Sequence, residues 1–254
     1  MSDRTNPASP ASIQERGAPD VPDTLLQRLV PRQLADLALG FYCVFWGTLA
    51  TLAGAVELLV TVAPAVDLAR VPAPRLFPVV VCIGGVVAIL VGSWRLYRAG
   101  EMGNHWRRTS RRLLIAAVAL AYLMPVFFLW RRAPSSLYLL GHALAFLGML
   151  ICFMGLLCLV VAGLARASGQ RSLATQASLF GAGSFLVLVL LSAVVTQAII
   201  VATRRGLSLL EVLQFLLNRV PPAILLALLL PLSLTLSAVW AAKDVVHREL
   251  RDRV

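Results

Sequence analysis

The chain has 254 residues, of which 59% are hydrophobic and 14% charged, and its mean hydropathy is +0.83. Soluble domains reach about 45–50% apolar only when glycine is counted with the rest, and they carry about 25% charged residues. So few charges cannot cover a water-soluble globule, which excludes an ordinary soluble enzyme, a disordered chain and a disulfide-stapled secreted module. What remains is an all-α, polytopic integral membrane protein. Its net charge of +11 sits in short segments between apolar runs, so the expected partner is the lipid headgroup layer and not nucleic acid.

Residues 1–23 are rich in Pro, Ser, Ala, Asp and Arg without periodicity and read as a disordered tail. Residues 24–36 form a short amphipathic juxtamembrane stretch, interrupted at Pro31. No early apolar segment has the form of a cleaved leader, so the first apolar run is expected to be a retained anchor. A hydrocarbon core of about 30 Å needs about 20 apolar residues. Six segments meet or approach that length: 37–63, 76–97, 113–130, 137–164, 178–202 and 220–242. None alternates as barrel strands do, so six transmembrane helices are expected within a membrane domain over 37–242. Residues 243–254 are a basic tail.

Between the fifth and sixth spans, Ser208, Glu211, Gln214 and Asn218 recur at helical spacing, with leucines between them. This predicts an interfacial helix over 206–218. Orientation follows from the basic residues. The N-terminal tail, the 98–112 loop with Arg95, the 165–177 loop and the C-terminal tail hold 16 of the 23, and the other three loops hold 7. Both termini are therefore expected in the cytoplasm, with the chain in the cell (inner) membrane.

Catalytic patterns are missing from the sequence. His105, His142 and His247 fit no H-E-x-x-H helix, the aspartates lie in tails, loops or span ends, and Lys243 follows no glycine-rich loop. Cys43, Cys82, Cys152 and Cys158 lie in apolar runs without metal-ligand spacing. The chain is expected to be no enzyme, with no metal and no cofactor.

Three sets of residues stand out. Glu57 is the only acidic residue well inside a span, and such a residue is by default a functional candidate. It falls about 9 Å below the outer end of span one. His142 in span four and Thr196 and Gln197 in span five fall at about 7–8 Å, so the four define a candidate outer polar cluster. Gly141, Gly148 and Gly155 recur every seven residues along span four and predict a helix-packing stripe. Arg95, Arg98, Arg107, Arg108, Arg111 and Arg112, with Trp106, form a polybasic segment suited to headgroup contact. Pro125 and Pro231 are expected to kink their helices, with Ser233, Thr235 and Ser237 re-satisfying freed carbonyls. Two function classes fit: a non-catalytic scaffold or subunit of a larger membrane assembly, as a homo-oligomer or with other subunits, and a small-solute permease or transporter membrane subunit using the outer cluster.

Overall fold

A computed structural model describes residues 26, 29–62, 76–99, 103–133, 136–207, 211–212 and 222–253. Among these residues the regular structure is entirely helical. The six long helices are α1 (Pro31–Val62), α2 (Leu76–Arg98), α3 (Asn104–Arg132), α4 (Leu137–Ala167), α5 (Arg171–Arg205) and α6 (Pro222–Arg251). Five of them, α1 to α5, are long and apolar enough to cross a membrane over the residues described.

The helices begin or end beyond the apolar runs. The juxtamembrane stretch is interrupted at Pro31: Leu29 and Val30 are not helical, and Pro31 is the first residue of α1, where a missing amide hydrogen is no loss. α3 starts at Asn104, so most of the arginine-rich segment expected as a loop is helix. Arginine is a good helix former, and the opposite face of these turns is buried: Trp106 Nε1 donates to the Leu96 carbonyl at 3.2 Å, and Ser110 Oγ to the Trp106 carbonyl at 2.8 Å. The C-terminal tail likewise continues α6 as far as Arg251. At the α4–α5 connection Gly169 has φ of 74°, and Gly206 ends α5 with φ of 65°, a left-handed conformation that glycine adopts without a Cβ penalty. Of the expected interfacial helix, only 206–207 and 211–212 lie among the described residues. There Val212 is buried against Ala198 and Ala202 of α5 while Glu211 is exposed.

α1 packs against α2 and α6, α2 against α3, α3 against α4, and α4 against α6. These contacts close a five-helix ring. α5 lies outside it, against α4 and α6, and its apolar window is 12% buried, compared with 33–50% in the other four. The ring is filled by Phe41, Phe127, Phe146, Phe153, Leu113 and Leu120, each no more than 1% exposed. The Phe127 and Phe146 rings stack at 4.8 Å. α4 contributes the largest buried share, and Cys158 Sγ on it donates to Thr235 Oγ1 on α6 at 3.3 Å. The four cysteines are free thiols, Cys82 and Cys158 buried and Cys43 and Cys152 half-buried.

Ion pairs and hydrogen bonds tie the helix ends together at one end of the bundle. Arg95 of α2 meets Asp36 of α1 at 2.6 Å. Arg253, past the end of α6, donates to the carbonyls of Leu29 at 2.5 Å and Leu26 at 2.7 Å, and to Glu249 at 2.9 Å. Both ends of the described chain thus meet at the end of the bundle that also carries Arg98, Arg107, Arg108, Arg166 and Arg171.

Candidate functional site

Of the expected polar cluster, His142 and Thr196 use their hydrogen-bonding groups locally. His142, half-buried on α4, donates from Nδ1 to the Tyr138 carbonyl one turn back at 2.9 Å, and its ring lies 4.3 Å from that of Tyr138. Thr196 on α5 donates to the Ser192 carbonyl at 2.8 Å, and Gln197 beside it is exposed. No hydrogen bond joins His142 to Thr196 or Gln197 among the described residues. The Glu57 side chain lies outside the described part of α1, and α1 packs mainly on α2 and α6, whereas His142 and Gln197 belong to the α4–α5 pair. Among the described side chains no direct hydrogen bond links the residues of the expected cluster. A hydroxyl or imidazole one turn from a free lone pair satisfies itself on its own helix more readily than across a gap.

The hydroxyls after Pro231 behave in the same way. Ser233 donates to the Leu230 carbonyl and Thr235 to the Pro231 carbonyl. Neither reaches the carbonyl four residues before the proline, the one whose amide partner the ring removes.

The glycine stripe on α4 is only partly a contact. A Cβ on Gly155 would lie 3.1 Å from the Phe185 ring of α5, and one on Gly148 an ordinary 3.6 Å from Leu188. Gly141 is exposed, and a Cβ there would meet nothing within 4 Å. The close seam lies instead between α1 and α2. A Cβ on Gly47 would sit 2.7 Å from the Gly85 carbonyl oxygen, and one on Gly85 would sit 2.7 Å from that of Gly47. A Cβ on Gly92 would be 2.7 Å from the Gly40 carbonyl oxygen, and one on Gly54 would be 3.1 Å from that of Pro78. Residues 40, 47 and 54 face 92, 85 and 78, so a seven-residue repeat on each antiparallel helix keeps the seam aligned. The glycine spacing in the sequence carries this signal as openly as it does on α4.

The polybasic segment divides in two. Arg107, Arg108, Arg111 and Arg112 are exposed on the first turns of α3. Arg95 and Arg98 instead line a groove of about 1050 Å³ where α1, α2 and α3 meet. Arg32 and Asp36 of α1 share its rim, and Leu90, Val91, Leu114 and Val118 form its floor. Asp36 is taken by Arg95, while Arg32 and Arg98 have no ion-pair partner among the described residues. Arg32 was not among the basic residues singled out in the sequence, because only the fold brings the start of α1 beside the end of α2.

Three buried polar atoms, Thr48 Oγ1, Ser93 Oγ and Trp130 Nε1, have no hydrogen-bond partner among the described residues. Among the described residues no group of three or more His, Cys, Asp or Glu side chains is placed to hold a metal ion. No protein-family model, curated protein or solved structure matches the chain.

Proposed function

We propose that this protein is a non-catalytic subunit of a larger membrane assembly, crossing the cell (inner) membrane six times with 220–242 as the sixth span and both termini in the cytoplasm. The observation that carries this reading is the outer face of α5. Exposed leucines and valines need no explanation in a bilayer, because lipid tails solvate them as well as protein does. An exposed Gln197 at membrane depth does need one. Its carboxamide makes no hydrogen bond among the described residues, and unsatisfied polar groups in hydrocarbon are costly. Ser192, Ala193 and Thr196 are exposed around it, a small-residue surface on which another helix approaches closely. The occupant that fits is a transmembrane helix of another subunit offering a hydrogen-bonding group to Gln197. A small-solute permease draws less support, since among the described residues the ring interior is filled largely by phenylalanines and leucines, and its buried polar residues are hydroxyls only.

A photocrosslinking residue at Ala193 is expected to give a protein adduct in membranes, and Gln197→Leu is expected to abolish it. The same residue at Tyr122, 75% exposed on α3, is expected to give lipid adducts only. Absence of a protein adduct at position 193, or an adduct indifferent to Gln197→Leu, overturns the reading.

A further inference from the structure

We propose that the groove between α1, α2 and α3 binds one anionic diacyl phospholipid, its phosphate held by Arg32, Arg95 and Arg98 and one acyl chain laid along Leu90, Val91, Leu114 and Val118. This is independent of the subunit reading, which concerns the other side of the bundle.

The chemistry changes along the helix axis in the way a phospholipid does. On α2 the wall runs from Arg98 through Arg95 and Trp94 to Val91 and Leu90, a descent of about 12 Å at 1.5 Å per residue. The cations stand at the helix end, and the apolar residues point toward mid-bundle. On α3 the groove is lined by Leu114 and Val118, four residues apart on one helix stripe, so this wall adds only apolar surface below the cations. At about 1050 Å³ the groove stands at the top of the usual range of about 300–1,000 Å³ for ligand pockets. Val91, Trp94, Arg98 and Val118, which line it, are exposed, which leaves it open sideways to bilayer lipid.

The charges select the headgroup. Three guanidinium groups face one carboxylate, and that carboxylate is engaged by Arg95 at 2.6 Å. Arg95 is thereby held toward the rim, while Arg32 and Arg98 keep their donors for phosphate oxygens, the geometry a guanidinium fork suits best. A choline or ethanolamine group would place a further cation among them. A free phosphate would leave the apolar floor without a role.

The test reconstitutes the full chain in vesicles of phosphatidylcholine and phosphatidylglycerol, extracts it in mild detergent and counts retained lipid by native mass spectrometry. Wild type is expected to keep one phosphatidylglycerol in preference to phosphatidylcholine. Arg32→Gln with Arg98→Gln should lower that retention about tenfold or more, each cation near anionic lipid contributing on the order of one decade or less. Arg108→Gln with Arg112→Gln, off the groove stripe, should retain lipid as wild type does. Val118→Trp, which fills the floor and leaves every arginine in place, should also lose the lipid, and it decides the matter if the arginine variant fails to fold. Equal retention of the two lipids by wild type overturns the proposal, as does equal loss in the two arginine pairs or undiminished retention by Val118→Trp.

Discussion

At Gly85 the backbone of α1 comes so near that a Cβ would stand 2.5 Å from Thr51 Oγ1 and 2.7 Å from the Gly47 carbonyl oxygen. The neighbouring Gly84 meets nothing within 4 Å. The two adjacent glycines therefore separate close approach from mere presence. Gly85→Val is expected to destabilise the protein by about 1–3 kcal/mol through overpacking. Gly84→Ala should be neutral or add up to about 1 kcal/mol through helix propensity. Thermal unfolding in mild detergent measures both, and equal effects would mean that α1 and α2 are not in backbone contact there. The same scale shows where the sequence misleads. Gly141, Gly148 and Gly155 have the same spacing as Gly40, Gly47 and Gly54, yet Gly141 lies in the open. Spacing fixes which residues share a stripe, whereas the presence of a helix opposite the whole stripe is a property of the fold.

Helices of similar composition differ in what they bury. α4 and α5 are the two most apolar of the candidate spans by mean hydropathy, but α4 belongs to the ring and α5 leans on its outside. Phe153 on α4 is fully buried, whereas Leu186 on α5 is 59% exposed. Phe153→Ala is expected to cost about 3–5 kcal/mol, the transfer and cavity terms acting together. Leu186→Ala should stay within about 0.5 kcal/mol in the isolated chain, as surface substitutions do. Melting temperatures of the two variants in detergent check the contrast, and a comparable loss at Leu186 would place α5 inside the packed bundle. The existence of all six helices is legible in the sequence because each carries a long apolar run. Their true ends are not, because arginine and serine continue a helix once its other face is buried, as at Trp106 and Ser110.

Across the whole molecule, the bonds from Arg253 to Leu26 and Leu29 bring both ends of the described chain to one end of the bundle. This is the arrangement that the proposed six crossings require, and under the positive-inside rule the excess of arginine at that end is the ground for proposing that it faces the cytoplasm. A fluorescent reporter fused after Val254 is expected to fold in the cytoplasm and fluoresce, while a periplasmic enzyme reporter at the same position should be silent. The opposite pattern would reverse the assignment.

The amino-acid sequence by itself determined that this chain is helical, how many apolar runs it contains, and which segments collect arginine. All three follow from local length, period and charge, which need no partner segment to be read. Only the tertiary structure decided which polar and small residues meet. Arg32 lies 63 positions before Arg95, and they share a groove because α1 and α2 pack antiparallel along a glycine seam. His142 and Thr196, expected from the sequence at matching depths, each bond to their own helix. Depth in a membrane is one coordinate. The rotation of each helix and the choice of its neighbours are set by packing, and on them depends whether residues at one depth form a site.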